Sequence, residues 1–458
     1  MDFNTLREKY PSIIYHSYEI NDEGDSYKIV FNFSIPGLTE FHPYMIINKE
    51  NIKNDINSKI ARKIIFHVGM VELISYFKCT CSKKVIIEAG YLDKEQQDWF
   101  KKLYYYGLGE FMYINKIDVS LNEFFDFVIK APVDPEFETN YHGEGNLIPI
   151  GGGKDSNVTL ELLKDMNNLC FVINPKEPHL ECIKAANYET FFGIKRVLDK
   201  NMLELNKQGF LNGHTPFSSL VAFISYLCAY LNNREYVILS NEGSANESTV
   251  IGTKINHQYS KTYEFENDFN LYTKKYFKIK IKYFSLLRPL SEYQIGMLFS
   301  KYEKYHKIFK SCNVGSKQVP WVWCCDCPKC LFVYCILSPF LYKEKLVDIF
   351  GEDMFNKESL LKTFNELIGV GETKPFECVG TVSEVRYALN RVIDKIDEEL
   401  PYLLKYYKEK YYSKNKECLE TKYNDENNLD PQFVEILKKN LNECIKSSDL
   451  ILEDKKYV

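Results

Sequence analysis

Residues 146–156 read Asn-Leu-Ile-Pro-Ile-Gly-Gly-Gly-Lys-Asp-Ser, a short apolar run, three glycines, then Lys154, Asp155 and Ser156. Val158, Leu162, Leu163 and Met166 follow at roughly helical spacing. A strand that turns through glycines into a helix start is built to hold an anion. Glycine lets the backbone come close, successive N–H groups converge, and the helix dipole favours negative charge. The order is not that of a Walker A loop, which needs Gly-Lys followed by Ser or Thr, because Asp155 follows Lys154. The competing reading is a plain glycine turn before a helix.

The loop resembles the PP-loop of the ATP pyrophosphatase superfamily, Ser-Gly-Gly-X-Asp-Ser. Gly151 replaces the first serine and removes one hydroxyl donor. The resemblance implies that ATP is cut between its α and β phosphates and that a substrate oxygen is activated as an adenylate. Gly151, Gly152 and Gly153 then cradle the nucleotide. Asp155 and Ser156 meet the pyrophosphate and its magnesium, a hard cation that prefers oxygen ligands. Both residues could also cap the helix. Lys154 either neutralises the leaving pyrophosphate or is a solvated surface lysine.

The surrounding chain of 458 residues has room for about three domains. We read an α+β domain over 1–138, a PP-loop ATP-binding domain over 139–310, and a zinc-knuckle and helical region over 311–458. A net charge of −5 gives no basic field for nucleic acid. No apolar signal core opens the sequence, and the longest apolar run, Leu220 to Leu231, is shorter than the ~20 residues of a membrane span. A buried helix and a cytoplasmic location are expected. The fourteen cysteines read as reduced thiols and metal ligands.

Strands are expected over 26–35 and 85–87, and helices over 61–78 and 94–106. Further strand candidates are Leu147–Ile150, Cys170–Ile173, Tyr236–Leu239 and Phe277–Phe284, with helical stretches between them. That alternation predicts an α/β fold, a parallel sheet with helices on both faces. Ligands in such sheets sit beyond the carboxyl ends of the strands, where the glycine loop falls. Pro149 weakens the first of these strands, because proline cannot donate to a ladder. The last third reads as mostly helical, with a polar linker at Tyr423–Asn428.

Three further segments carry chemistry. The Tyr236–Leu239 strand runs into Ser240–Glu247, which places Asn241 and Glu242 to touch a ligand. Asn256–Lys261 supplies His257 and Tyr259 as candidate acid–base groups and Lys261 as a phosphate or carboxylate contact. Lys374–Gly380 presents Glu377 and Cys378 between Pro-Phe and Val-Gly, as further acid–base candidates, or else as a turn with a buried cysteine. The strongest metal signal is Cys312 followed after eleven residues by Cys324, Cys327 and Cys330, with Cys325 as a spare. Four thiolates in two close groups suit a closed, structural tetrahedral zinc site. An iron–sulfur cluster is the competing metal. The spacing resembles the zinc knuckle of the 7-cyano-7-deazaguanine synthases, themselves PP-loop enzymes.

Taken together, several stretches resemble the ATP-dependent UDP-N-acetylmuramoyl-L-alanyl-L-glutamate epimerases. They are Phe66–Leu73, Gly151–Ser156, Gly213–Pro216, Asn241–Asn246, Asn256–Lys261, the cysteine knuckle and Pro375–Gly380. The resemblance runs from about residue 60 to residue 400. It implies inversion of the terminal L-glutamate of a UDP-muramyl dipeptide, with ATP and magnesium consumed and AMP and pyrophosphate released. The chemistry explains the ATP. An α-proton beside a free carboxylate is very weakly acidic, because the carbanion adds a second negative charge. Adenylation removes the first. Competing readings are a base- or tRNA-modifying PP-loop enzyme and a nucleotide-binding protein without catalysis.

Overall fold

In the computed structural model the backbone is described for every residue except 1, 134–138, 251, 254, 258, 372, 397–398, 415–417 and 455–458, and the side chains of 447–454 are likewise left aside. The boundary expected at 138 therefore lies outside the described residues.

Eleven strands form one mixed sheet. They are β1 (Ser12–Asp22), β2 (Ser26–Ile35), β3 (Thr39–Phe41), β4 (Tyr44–Asn48), β5 (Lys84–Ile87), β6 (Asp126–Ile129), β7 (Asn146–Pro149), β8 (Asn168–Ile173), β9 (Phe191–Val197), β10 (Tyr236–Leu239) and β11 (Lys282–Ser285). The spatial order is β11-β10-β7-β8-β9-β4-β2-β1-β5-β6, with β3 beside β2. From β11 to β9 every pair is parallel, as the alternation of strands and helices predicts. The pairs β9–β4, β4–β2 and β2–β1 are antiparallel, and β1–β5–β6 is parallel again. The ladder between β4 and β9 thus joins the N-terminal strands to the central ones.

The parallel strands are short, nearly continuous apolar runs because both of their faces are covered. Alternate side chains enter two different cores. Leu147, Leu169, Phe171, Val237 and Tyr283 pack into the core built with the N-terminal helices. Ile148, Cys170, Val172, Ile238 and Phe284 pack into the core built with the C-terminal helices. Leu220–Leu231 lies in the buried helix Phe217–Leu231, as expected from its apolar run. Pro149 sits at the end of β7, beyond Asn146 and Leu147 that pair with β10, so its missing N–H costs that ladder nothing.

The Phe66–Leu73 stretch belongs to the helix Lys59–Glu72. A Cβ at Gly69 would stand 2.0 Å from the Tyr15 hydroxyl, so only glycine lets this helix lie on β1. Glu72 receives both Arg196 Nε and Nη2 of β9 at 2.8 Å. His67 is fully buried between Lys63 O and the Tyr272 hydroxyl, a core histidine. The expected strand over Phe277–Phe284 is shorter than the aromatic run. The helix Tyr263–Tyr276 ends at Phe277, and β11 begins only at Lys282. The Tyr423–Asn428 segment is tied down rather than free, through Asn424 N–H to Pro289 O and Asn428 to Glu266.

Phe171 of β8 and Ile238 of β10 face opposite cores with β7 between them. Phe171→Ala should cost about 3–5 kcal/mol and Ile238→Ala about 2–5 kcal/mol. With no shared partner the losses should add within about 0.5 kcal/mol in the double variant, read from denaturant midpoints. Strong non-additivity would mean that the two cores are one.

Candidate active site

The glycine loop lies where β7 ends. Gly152 has φ +74° and its Cβ would meet the His179 ring at 2.9 Å, so the turn requires glycine there. Gly151 has open space where its side chain would be. Gly153 caps the helix Lys154–Leu162, and no side chain bonds the first N–H groups of that helix. Lys310 N–H braces the loop from behind, on Gly152 O at 2.9 Å. Ser156 Oγ donates back to Gly153 O at 3.1 Å.

Lys154 is not a solvated surface lysine. It is buried and ion-paired with both Asp155 and Glu292. Glu292 opens the helix Glu292–Ser300, and its N–H donates to Glu384 at 2.8 Å. Burial pushes the Glu292 carboxyl upward and Lys154 opposes it, while the nearby charges of Asp155 and Glu242 push it further up. Burial also works against the charged form of Asp155. Lys154, Lys329 and Lys261 outweigh it and hold that carboxyl below its ordinary range. Glu242 and Glu384 are buried beside this group. The glycine loop therefore adjoins a buried cluster of carboxylates and lysines with hard oxygen donors.

Arg288, fully buried, organises the loops beside this cluster. It donates to Glu242 O at 2.9 Å, to Lys261 O at 2.6 Å and to Glu266 Oε2 at 3.1 Å. One guanidinium thus fixes the loop after β10 and the turn carrying Lys261. Asn241 Nδ2 donates to Ser285 Oγ at 3.1 Å, which ties the same loop to β11.

The His257 and Cys378 segments are joined by an antiparallel bridge between Val250 and Thr373 and by Lys374 N–H to Thr249 O at 3.1 Å. His257 Nδ1 meets Glu110 Oε2, and its ring is near enough to Cys378 for each group to shift the other's proton affinity. Glu110, His214 and His257 lie within 4.8 Å of one another, and the two imidazole rings are 4.2 Å apart. Lys261 Nζ stands 3.1 Å from Cys378 Sγ. Lys329 Nζ donates to Cys378 O. Burial alone would raise the Cys378 thiol. Lys261, His257 and Lys329 pull it down to about 6. Burial alone would lower His257, yet Cys378 and Glu110 lift it to about 9. Neutral pH therefore holds a thiolate against an imidazolium. Lys261 and Lys329 act on Asp155 as well, so they join this pair to the glycine loop.

The other two acid–base candidates stand apart. Tyr259 is turned into the aromatic core, with its ring 5.4 Å from Tyr106, and burial pushes its phenol far upward. Glu377 is held by Asn313 at the edge of the cysteine knuckle. Four residues here escaped sequence reading: Glu110, Glu292, Arg288 and Lys329. Only Lys329 carried a local signal, as a charge inside the Cys327–Cys330 spacer.

Cys312, Cys324, Cys327 and Cys330 gather their sulfurs within 4.8 Å. The distances are 3.8 Å for Cys312–Cys327, 3.8 Å for Cys324–Cys330 and 3.4 Å for Cys327–Cys330. A tetrahedron of Zn–S bonds near 2.3 Å has edges of about 3.8 Å, so the set fits one metal ion. Cys325 points away, with its sulfur 3.2 Å from Phe350 O, and is not a ligand. The last two ligands flank the start of the helix Pro328–Leu337, which delivers Lys329 to Cys378.

A glycine-loop α/β fold is joined to a Cys₄ knuckle and to the Cys378–His257 pair through a shared cluster of lysines. Residues 4–286 match the family model described as the MurL N-terminal domain, and residues 308–421 match the MurL C-terminal domain. The chain belongs to the MurL family. It is 34% identical over 343 residues to the UDP-N-acetyl-alpha-D-muramoyl-L-alanyl-L-glutamate epimerase of Xanthomonas oryzae pv. oryzae, covering 73% of this chain and 75% of that protein. The epimerase of the same name from a Micromonospora strain is 33% identical, with 73% and 75% covered. That from Salinispora tropica is 34% identical, with 69% and 70% covered.

Two measurements check the site. Protein purified without added metal should carry about one zinc per chain, and Cys327→Ser should lose metal and stability together, since structural zinc binding is folding energy. Cys325→Ser should keep the metal; loss of zinc there would move the ligand set. Iodoacetamide labelling of the Cys378 peptide should rise with pH through a midpoint near 6, because the thiolate is the reacting form. Lys261→Met removes the largest favourable charge and should move that midpoint upward. A wild-type midpoint at the ordinary thiol value of about 8.5 would contradict the charge arrangement.

Proposed function

We propose that the protein is an ATP- and magnesium-dependent epimerase. It converts the terminal L-glutamate of UDP-N-acetylmuramoyl-L-alanyl-L-glutamate to D-glutamate through an acyl-adenylate, releasing AMP and pyrophosphate, in peptidoglycan precursor synthesis. The relatives bear that activity in their names. The observation that carries the reading to this chain is the sharing of Lys261 and Lys329 between Asp155 of the glycine loop and Cys378. An activation site and a proton-handling site thereby share two lysines.

The residues fit each step. Gly151–Gly153 and the uncapped helix start offer backbone N–H groups to phosphate. Asp155, with Glu242 and Glu292 beside it, has the donors to hold magnesium, which supplies charge neutralisation of the departing pyrophosphate. Lys261 and Lys329 place positive charge where oxyanions develop, on the glutamyl carboxylate during adenylation and on the enolate oxygen after it. His257 and Cys378, one protonated and one not at neutral pH, are the groups to exchange protons with the activated glutamate. The Cys₄ knuckle holds zinc and contributes by fixing Lys329.

A cavity of about 590 Å³ is lined by Tyr105, Tyr106, Gly109, Tyr113 and Ile255 among others, close in sequence to Glu110 and His257. Its aromatic walls suit the bulk of a nucleotide-linked substrate. Among the described residues no helix is long and apolar enough to cross a membrane. ATP and a nucleotide-linked precursor are both cytoplasmic metabolites, and the enzyme works in that compartment.

In D₂O with ATP and the L-substrate, deuterium should enter the α-carbon of the terminal glutamate as L becomes D, with AMP and pyrophosphate as products. Formation of ADP and phosphate, or absence of inversion, rejects the reading. Asp155→Asn should lower turnover by about 10²-fold or more with little change in melting, because it removes a contact made to the reacting phosphates.

A further inference from the structure

We propose that Glu110, His214 and His257 form a second metal site, distinct from the cysteine knuckle and built for a zinc-like divalent cation, and that an ion bound there halts proton transfer at His257. The site stands on the geometry alone; its effect on turnover rests on the epimerase reading above.

Three segments far apart in the chain converge on one carboxylate oxygen. Glu110 Oε2 meets His257 Nδ1 and lies 3.8 Å from His214 Nδ1. One donor atom from each residue falls within 4.8 Å of the other two. Zinc bonds of about 2.0–2.2 Å to imidazole nitrogen and carboxylate oxygen put neighbouring donors roughly 3.3 Å apart in a tetrahedron, so small side-chain rotations bring this set to coordination spacing. Among the described residues no hydrogen bond reaches the His214 ring, although only 25% of that side chain is exposed. A largely covered ring nitrogen without a partner is a donor held ready for a ligand.

The backbone around each donor is fixed. Lys78 Nζ donates to Asn212 Oδ1 at 3.0 Å and to Gly213 O at 2.8 Å, and Asn115 Nδ2 donates to Asn212 O at 3.1 Å. The turn before His214 is thus tied to the end of the helix Gly109–Ile114, which carries Glu110. A Cβ on Gly213 would stand 3.1 Å from the Phe111 ring, a close approach that glycine permits. His257 N–H donates to Thr249 Oγ1 at 3.1 Å, and Asn256 Nδ2 to Ala245 O at 2.9 Å.

The donor set selects the metal. Two imidazoles and one carboxylate suit zinc and related transition metals, whereas magnesium prefers oxygen alone. Magnesium brought by ATP is therefore drawn to the carboxylates beside the glycine loop and leaves this site to softer cations. Coordination also changes what His257 can do. The cation takes the place of the proton shared between Nδ1 and Glu110, and that proton leaves for solvent. With Nδ1 coordinated and Nε2 carrying the one remaining ring proton, the imidazole has no lone pair left to accept another.

Zinc titration of the full chain, with its knuckle already loaded and magnesium in excess, decides the matter. Calorimetry should find about one further zinc per chain. His214→Asn and Glu110→Gln should each weaken that second equivalent by roughly 10²-fold or more and leave the knuckle zinc in place. Over the same zinc concentrations wild-type inversion should fall while substrate-dependent exchange of pyrophosphate into ATP continues. Absence of a second equivalent in the wild type, or its full retention in either variant, overturns the site. Arrest of exchange together with inversion overturns the effect on His257 and places the ion at the glycine loop. Should neither variant fold, zinc should still shield the wild-type His214 and His257 peptides from diethyl pyrocarbonate, and unchanged labelling overturns the proposal. Enzyme without added zinc that neither inverts nor exchanges would instead reject the epimerase reading, while the binding titration still decides the site.

Discussion

Burial of both faces of the parallel strands is the constraint on which the rest depends. Adjacent residues such as Leu147 and Ile148, or Phe171 and Val172, enter different cores. Neither face can be left to water, so the helices Phe217–Leu231 and Tyr263–Tyr276, with the N-terminal helices, cover one, and Lys154–Leu162, with the C-terminal helices, covers the other. Distant parts of the chain thereby meet at the carboxyl ends of the strands. Glu110 arrives from the N-terminal side, Lys329 and Cys378 from the C-terminal side, and the glycine loop from the sheet between them.

The second organising fact is electrostatic. Lys154, Asp155, Glu292, Arg288 and Glu266 are charged groups taken largely out of water. Pairs of this kind add little net stability, yet removing one partner leaves the other exposed to a low dielectric and costs about 3–5 kcal/mol. Such a cluster holds its backbone in one arrangement. Arg288 does so directly, because its donors end on the carbonyls of Glu242 and Lys261. The backbone at Glu242 and Lys261 is thus set by a buried charge that lies behind it.

Much of this was legible in the sequence where the signal is local. β7, β8 and β10 announce themselves as apolar runs because two cores demand it. The glycine loop and the cysteine spacing are local patterns as well. β1, β4 and β9 were not picked out. β1 carries His16, Ser17 and Glu19 among its apolar residues, and its outer half is largely open to solvent. β9 contains Gly193, Lys195 and Arg196, which only make sense beside β4 and Glu72. The site divides in the same way. His257 and Cys378 stood within polar or unusual segments, whereas Glu110 and Glu292 are ordinary helical glutamates until the fold brings His257 and Lys154 to them.

The ladder between β4 and β9 has a consequence for how such a chain can be divided. Tyr44 pairs with Val197 and Ile47 with Ile194, so β9 is an interior strand only while the first fifty residues are present. Trimming them would leave a row of unpaired N–H and C=O groups along an apolar strand, a template for another chain to add to. The half of the molecule that carries the glycine loop is consequently not a portable cassette. Grafts or fusions that keep the nucleotide end and discard the amino-terminal hairpin would inherit a sticky edge before they inherited a pocket.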